Sequence, residues 1–331
     1  MKVLVTGAHG FVGSHLTEKL VAEGASVRAL VSPWGKLNNL HRVQSQLELV
    51  RADLTEPERL RGVCQDIDLV YHAAARVADY GPARPFFETN VRGTENVWRE
   101  AERAGVRRGV LVSSVAVHRY TGFRDADPRA LPLDGDLNAY ARSKVEAEEL
   151  VRSSGLETVV VRPGLWPFGP RDPNFKRVAG ALKGGLFPLV DGGRAVINTA
   201  YIENLVAGLW LAGTVPRAAG RTYLIADAGN PSWRELFTEL ARLLRAPPPR
   251  LSLPGWLSEP LGRTVEQMYR VADAEPPLTR YRGTLMRRDV HLSTAAAAEE
   301  LGYQPAVTWQ EGLARTVAAL GHLNTATRHE R

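Results

Sequence analysis

The chain has 331 residues, of which 44% are hydrophobic and 24% charged, as is typical of a globular protein with one large or two unequal domains. Its formal net charge is +6, but no basic stripe with interleaved aromatic residues occurs, so we expect no nucleic-acid partner. The longest apolar stretch, NLVAGLWLAG, is about half of a membrane span, so we expect no transmembrane segment.

The single cysteine bears on the cellular compartment. Cys64 excludes an intramolecular disulfide and a cysteine zinc site, and a lone cysteine suits a reducing compartment. It precedes an apolar run, which favours a small buried side chain. The first predicted strand begins at Lys2, so no signal peptide is expected. We therefore predict a cytoplasmic protein, and because the histidines show no ligand spacing we expect no metal site.

Strands and helices alternate up to about residue 165. The predicted strands are KVLVT (2–6), SVRALV (26–31), LELVRADL (47–54), DLVYHAAA (68–75), GVLVSSVAV (109–117) and ETVVVRPG (157–164). Helical patterns cover 13–24, 85–105 and 139–155. Continuous β-branched runs indicate strands covered on both faces. The pattern predicts an α/β fold in which residues 1–165 form a Rossmann-type, doubly wound parallel sheet that binds a dinucleotide.

Proline and glycine become frequent after residue 165. Residues 166–331 are predicted to form mainly a smaller, loop-rich substrate-binding region, with strands and helices returning to the main sheet. Within this region, one segment from 257 to 272 has apolar residues at helical spacing: Leu257, Leu261, Val265, Met268 and Ala272. This helix packs on the core, closes over an apolar substrate as a lid, or lies at an interface.

The stretch VTGAHGFVGSHL carries three glycines between the first strand and the first helix. Gly7 permits a sharp exit from the strand, Gly10 lets a pyrophosphate approach the backbone, and Gly13 lets the helix pack closely on the sheet. The free amides at the start of that helix face the anion. The position of the turn before a β/α array predicts dinucleotide binding.

The end of the second strand distinguishes NAD from NADP. No carboxylate occurs between Arg28 and Asn39 to bind the ribose diol of NAD. Arg28, Ser32 and Lys36 are placed to meet the 2′-phosphate of NADP, which is slightly favoured over NAD. Asp53, at the end of the third strand, is expected to cap the next helix or to hydrogen-bond adenine.

Tyr140 and Lys144 in YARSK lie one turn apart on a predicted helix, so their side chains share a face. A nearby ammonium group, together with the positive ring of oxidised nicotinamide, favours phenolate and lowers the pKa of the phenol. Ser113 and Ser114 follow a buried strand at the edge where α/β sheets place ligands. One serine hydroxyl can therefore align a substrate oxygen with Tyr140.

The chain resembles the extended short-chain dehydrogenases/reductases, the epimerase/dehydratase superfamily. The matching motifs are TGAHGFVG, ADL, HAAA, NVRGTENV, SSVAV, YARSK, RPGLWPFGP, YIENLVAGL and LSTAAAAEELGYQPAVTWQEGL. The resemblance implies that Ser114, Tyr140 and Lys144 are the catalytic residues and that Ser113 contacts the cofactor. Motifs and resemblance together imply cofactor contacts by Gly7, Gly10, Phe11, Val12, Gly13, Ser32, Asp53, Leu54, Ala73, Ala74, Ala75, Ser113, Tyr140, Lys144, Pro163 and Gly164.

Two branches of this family remain open. Sugar-nucleotide members resemble one another in an arginine that grips the diphosphate, and Ile197 stands at that position here. RPGLWPFGP supplies Leu165, Trp166 and Phe168, so the predicted substrate residues are apolar and favour a hydrophobic ketone or alcohol. The C-terminal third is similar to the 3β-hydroxysteroid-dehydrogenase-like branch.

The alternatives are a sugar-nucleotide 4-epimerase and a catalytically silent dinucleotide sensor. Dehydration is disfavoured, because Val115 and Ala116 stand where family dehydratases carry an Asp-Glu pair. The resemblance also implies a homodimer through helices near 86–103 and 138–153.

Overall fold

A seven-stranded parallel sheet forms the centre of the molecule. The computed structural model describes residues 1–185, 187–272, 276 and 278–326. Its strands are β1 Lys2–Thr6, β2 Ser26–Val31, β3 Leu47–Arg51, β4 Leu69–His72, β5 Arg108–Val112, β6 Phe123–Ala126, β7 Glu157–Pro163, β8 Trp166–Phe168, β9 Leu189–Val190, β10 Thr199–Tyr201, β11 Thr222–Ile225, β12 Ser252–Leu253 and β13 Val290–Leu292. The order β11-β7-β5-β4-β1-β2-β3 reverses direction between β1 and β4, where open α/β sheets bind ligands. The predicted Rossmann-type sheet is confirmed.

Helices cover both faces of this sheet. They are α1 Phe11–Ala22, α2 Ala83–Phe87, α3 Gly93–Arg103, α4 Ala139–Arg152, α5 Pro173–Lys183, α6 Ile202–Thr214, α7 Trp233–Leu243, α8 Gly255–Ala272, α9 Arg280–Arg287, α10 Ala295–Leu301 and α11 Trp309–Ala326. Leu16 of α1 and Leu205 of α6 pack on one face, while Trp98 of α3 and Val151 of α4 pack on the other. Among the described helices, none combines the length and apolar character needed to cross a membrane.

Three predicted strands end three or more residues earlier than expected. β3 ends at Arg51, β4 at His72 and β5 at Val112. The small residues that follow β4 leave the ladder, whereas after β5 one further bond, from the Ser113 amide to the Val161 carbonyl group at 2.7 Å, ends the pairing with β7. The predicted helix 85–105 is present as α2, a π-helical segment at 88–92, and α3.

The second half of the chain is joined to the main sheet. β11 adds to the edge of the sheet, and a single apolar cluster extends from Val3 to Leu313. The remaining strands form short parallel pairs, β8 with β10, β9 with β12, and β6 with β13. Cys64 is fully buried, and burial raises the pKa of its thiol to about 12, so the predicted buried role of Cys64 is confirmed.

The segment 257–272 is helical as predicted, within α8. Leu257, Leu261 and Val265 are half-buried, whereas Met268 is 68% exposed, so the apolar spacing does not continue as a core face through Met268. The side chain of Ala272, the fifth member of the pattern, lies outside the described residues.

Candidate functional site

Several of the predicted site residues lie at the carboxyl edge of the parallel sheet. Thr6 at the end of β1 pairs with His72 at the end of β4, and His72 pairs with Leu111 of β5. Parallel strands in this register bring the glycine turn, Ala73–Ala75 and the two serines to one edge.

The glycine turn has the shape that a pyrophosphate requires. Gly7 has a φ of +66°, and a Cβ there would lie 2.7 Å from Ala74 Cα. A Cβ on Gly13 would collide with the Gly7 carbonyl group, whereas a Cβ on Gly10 would meet only the Gly7 oxygen within 4 Å, at 3.2 Å. Gly7 and Gly13 are therefore required by the protein's own packing, and Gly10 leaves its outer side open.

Helix α1 begins directly behind this turn. Its described residues include no side-chain cap and no acidic residue in the first turn. The amides of Phe11, Val12 and Gly13 are thus available to an anion, and the helix dipole favours a negative charge there. These residues fit the phosphates of a dinucleotide.

A buried histidine holds the neighbouring strand ends together. His72 Nδ1 lies 2.8 Å from Thr6 Oγ1, and its Nε2 lies 3.0 Å from Thr94 Oγ1. Thr94 donates its own proton to the Asn90 carbonyl group, so His72 donates from Nε2 and accepts at Nδ1. Complete burial lowers the pKa of His72 to about 3, so it is neutral and structural at physiological pH. Thr6 also accepts a hydrogen bond from the Ala74 amide at 3.3 Å, which holds Ala73–Ala75 against the glycine turn.

Arg28 on β2 was predicted to contact a phosphate of the cofactor, and this prediction is wrong. Arg28 is 7% exposed and donates to Glu48 at 2.7 Å and to the Val63 carbonyl group at 2.8 Å, so it faces away from the ligand edge. Arg51, at the end of the adjacent β3, instead donates to the carbonyl groups of residues 32, 33 and 35. Ser32 Oγ lies 3.4 Å from His9 Nε2, and Lys36 is exposed. No motif marks Arg51, and only strand pairing brings it to this loop.

Asp53 caps a turn. Its Oδ1 accepts from the Thr55 amide at 2.9 Å and from the Thr55 hydroxyl at 2.8 Å. The 3₁₀ turn that follows begins after Glu56, so Asp53 does not cap that helical turn. Leu54 contacts α3 at Gly93, where a Cβ would lie 3.0 Å from Leu54 Cβ.

The predicted catalytic side chains lie together above β5. Tyr140 is 9% exposed, and burial raises the pKa of its phenol while the neighbouring Ser114 hydroxyl lowers it. Lys144 Nζ donates to the Val112 carbonyl oxygen at 2.7 Å. Complete burial lowers the pKa of Lys144 to about 8, an effect opposed by Glu148. The sequence predicted a lowered pKa for Tyr140; in the protein alone it is raised, because burial outweighs the neighbouring groups.

Ser113 does not have its predicted role. It is 4% exposed, and its hydroxyl donates to Glu148 Oε1 at 2.5 Å on the protein side of the strand. The expected contact of Ser113 with a cofactor is therefore corrected, because the alternation of side chains at the strand end turns Ser114 toward Tyr140 and Ser113 toward the core.

Pro163 and Gly164 end β7 inside the protein. Both are buried, and a Cβ on Gly164 would lie 2.7 Å from the Thr199 carbonyl oxygen. Gly164 donates its amide to Ile225 at 2.9 Å, which joins this loop to β11. The pair ends β7 at the carboxyl edge of the sheet, the edge that also carries Ser114 after β5.

The predicted substrate residues belong largely to the core. Phe168 and Ile197 have no solvent exposure, and half-buried Trp166 stacks on Phe175 with ring centroids 5.9 Å apart. These aromatic side chains pack against α5 and α7 rather than lining a ligand cavity. Phe168 and Ile197 are thus corrected to core residues, while Leu165 and Trp166 remain partly accessible.

A small cavity of about 80 Å³ lies beside Tyr140. Its lining residues come from the loop after β4, the start of α4, and α8–α9: Ala78, Asp79, Tyr80, Gly81, Phe86, Leu137, Asn138, Ala139, Tyr140, Glu266, Arg280 and Tyr281. Only Tyr140 of these was predicted as a site residue. The loop after β4 could have been suspected from its position at the ligand edge. Apolar spacing predicted the helix over 257–272, with a lid as one alternative, but it did not place that helix next to Tyr140.

Helices α8 and α9 are attached across this cavity. Arg282 pairs with Asp79 at 2.5 Å, and Tyr80 donates to the Glu266 carbonyl group at 3.0 Å. The Arg280 guanidinium donates to the Leu137 carbonyl group at 2.8 Å. The helix predicted as core, lid or interface therefore covers the opening next to Tyr140.

Comparison with known proteins agrees with this geometry. Residues 3–226 match the sequence profile of the NAD dependent epimerase/dehydratase family. A 2-alkyl-3-oxoalkanoate reductase of Stenotrophomonas maltophilia is 31% identical, covering 96% of this chain and 99% of that protein. A 3 beta-hydroxysteroid dehydrogenase/Delta 5→4-isomerase of Mycobacterium tuberculosis is also 31% identical, and the match covers 94% of this chain and 88% of that protein.

Among solved structures, the dTDP-glucose 4,6-dehydratase DesIV of Streptomyces venezuelae, with NAD bound, superposes with a TM-score of 0.80. The two sequences are 26% identical, and the superposition covers 98% of this chain and 98% of the dehydratase chain. The predicted resemblance to extended short-chain dehydrogenases/reductases is confirmed.

Proposed function

The chain belongs to the NAD dependent epimerase/dehydratase family, and on that premise we propose that it is an NAD(P)-dependent oxidoreductase acting on a carbonyl or secondary alcohol of a hydrophobic substrate. The observation that carries the proposal is the grouping of Ser114, Tyr140 and Lys144 at the ligand edge of the sheet, beside a cavity.

Each side chain has a defined part in this reaction. A bound nicotinamide supplies the acceptor or donor for the hydride. The Tyr140 phenol donates a proton to the substrate oxygen during reduction and accepts it during oxidation. Ser114 hydrogen-bonds that oxygen, and the Lys144 ammonium group favours the phenolate form.

We propose that the dinucleotide lies along the glycine turn and the ends of β2 and β4. The cofactor contacts are those predicted from the sequence, except Ser113. NADP remains slightly favoured over NAD, since the described β2 end offers Ser32 in place of a carboxylate and the Arg51 guanidinium lies beside it. Arg28 no longer supports this preference.

The cavity beside Tyr140 is the proposed substrate site. Phe86 lies with its ring centroid 6.5 Å from that of Tyr140, and Leu137 and Ala139 add further apolar lining. We propose α8 and α9 as the cover of this site and residues 166–331 as the region that mainly binds substrate. Leu165 and Trp166, which are partly accessible, remain proposed substrate contacts.

The reductase and steroid dehydrogenase relatives favour an apolar ketone or alcohol. The structural likeness to a sugar-nucleotide dehydratase keeps a 4-epimerase as the second candidate. Against dehydration, Val115 and Ala116 after the catalytic serine are buried and carry no acid.

A ligand screen separates these functions. Purified protein is mixed with NAD, NADP, UDP-sugars, a 2-alkyl-3-oxoalkanoate or a 3β-hydroxysteroid, and its melting temperature is measured. We expect stabilisation by a dinucleotide and further stabilisation by an apolar ligand, followed by cofactor oxidation or reduction at 340 nm. Stabilisation by UDP-sugars with none by apolar ligands would overturn the proposal. Dinucleotide binding without turnover of either substrate class would indicate the silent sensor.

A further inference from the structure

Three side chains on successive turns of helix α4 contact three consecutive residues at the end of β5. Tyr140, Lys144 and Glu148 are spaced four residues apart and so lie along one stripe of the helix. Glu148 has no solvent exposure and Lys144 is 2% exposed. Tyr140 faces residue 114, Lys144 bonds residue 112, and Glu148 bonds residue 113.

From this juxtaposition we infer that Glu148 is a positioning residue for the catalytic pair. By holding Ser113, it sets the register of the β5 end against α4, and so places Ser114 against Tyr140 and the Val112 carbonyl group against Lys144. The inference rests on the proposed function, because it assigns Glu148 its effect through Tyr140 and Lys144.

Glu148 is itself rigidly held. Arg162 of β7 donates to both of its oxygens, from Nε at 2.9 Å and from Nη2 at 2.6 Å. Arg152 adds a third ionic hydrogen bond at 2.6 Å. A bidentate arginine fixes the plane of a carboxylate, so the acceptor for the Ser113 proton has one position.

The same contacts extend to the loop after Ser114. Arg162 Nη1 donates to His118 Nε2 at 2.9 Å and to the Pro128 carbonyl group at 3.0 Å. Burial lowers the pKa of His118 to about 4, so it is neutral and accepts this bond, while its Nδ1 donates to the Pro132 carbonyl group at 3.0 Å. The strand end carrying Ser114 is therefore held from both sides.

Glu148 also acts on the charge of Lys144. The ionisable groups around Lys144 are Tyr140 and Glu148 on α4 and His72 on β4, with Arg162 beyond Glu148 on β7. His72 is neutral, and Glu148 is the group that raises the pKa of Lys144 against burial. Removing the negative charge therefore deprotonates Lys144 at a lower pH.

Ser113→Ala tests the positional part without leaving a buried charge unpaired, because Glu148 keeps both arginines. We expect kcat to fall by roughly tenfold or more, with the dissociation constant of the dinucleotide unchanged and the melting temperature lowered by no more than about a few degrees, since one buried hydrogen bond is lost. Glu149→Gln, which changes the adjacent exposed carboxylate on α4, is the control and should leave kcat unchanged. Wild-type kcat in Ser113→Ala would overturn the inference.

Glu148→Gln tests the electrostatic part. Its amide oxygen can still accept from Ser113, but the alkaline limb of the kcat–pH profile should move down by about one pH unit. Glu148→Asp, which restores the charge, should return the limb toward the wild-type position. An unmoved limb in a folded Glu148→Gln protein would contradict the inference.

A direct titration separates this inference from the proposed reaction. Protein labelled with ¹³C at the lysine side chains is titrated by NMR without substrate, and the Lys144 signal is assigned with Lys144→Arg. A lower Lys144 pKa in Glu148→Gln supports the inference even if no ketone is reduced, whereas an unchanged Lys144 pKa rejects it even if the enzyme is an active reductase.

Discussion

The hydroxyl of Tyr140 is the smallest group whose removal tests the proposed chemistry. Tyr140→Phe keeps the ring that packs near Phe86 but removes the proton that moves to or from the substrate oxygen. We expect turnover to fall by about a hundredfold or more while dinucleotide affinity is kept. Steady-state kinetics and calorimetric titration measure the two quantities. The matched control is Tyr223→Phe on β11. It removes a hydroxyl that donates to Glu300 at 2.8 Å. Full activity in Tyr140→Phe would exclude the assignment.

We propose that Ser32, at the end of β2, contributes to the choice between the two dinucleotides. Ser32→Asp introduces a carboxylate that accepts from the ribose diol of NAD and repels the 2′-phosphate of NADP. We expect the NADP dissociation constant divided by the NAD dissociation constant to rise by about tenfold or more. Ser26→Asp, at the exposed start of the same strand, should leave that ratio unchanged. A shift toward NADP in Ser32→Asp would contradict the proposed position of the ribose.

At the scale of an element, the start of α5 makes stability depend on pH. Asp172 caps this helix by accepting from the amides of Asn174 and Phe175 at 2.9 and 3.1 Å. Burial raises the pKa of Asp172 to about 6. The folded state therefore binds a proton more readily than the unfolded state, so the stability from this group is complete below about pH 4 and is lost as pH rises through about 6.

Asp172→Asn removes this dependence, since the amide does not titrate. Between pH 4 and pH 7, the free energy of unfolding of the wild type should fall relative to the variant by about 2 kcal/mol. Urea unfolding at the two pH values measures the difference. If the free energies of unfolding of the wild type and Asp172→Asn differ by the same amount at both pH values, the pKa of Asp172 is not raised by folding.

At the scale of the whole molecule, we propose a homodimer formed by α2–α3 and α4, together with a cytoplasmic location consistent with the single buried cysteine. Light scattering should give twice the chain mass of 36.3 kDa. Arg99→Glu reverses an exposed charge on α3 and should shift the protein toward monomer, because a twofold contact repeats the change on both sides. Arg242→Glu on α7 serves as the control. A monomeric wild type would reject the dimer.

Neighbouring residues were sufficient to predict much of this protein. The parallel sheet follows from apolar, β-branched runs separated by amphipathic helices, the glycine turn from backbone freedom at Gly7, and the Tyr140–Lys144 pair from the four-residue period of a helix. The patterns that mark these features each span only a few neighbouring residues, so the sequence by itself determined them.

Only the tertiary structure decided which side chains meet. It paired Arg28 with Glu48 below the sheet edge, turned Ser113 toward Glu148, and placed Phe168 in the aromatic core. It also brought α8 and α9, which follow α4 by more than a hundred residues, over the cavity beside Tyr140. Such contacts depend on how distant elements pack, because a charged, hydroxylic or aromatic side chain has the same local pattern whether it faces a ligand or another part of the chain.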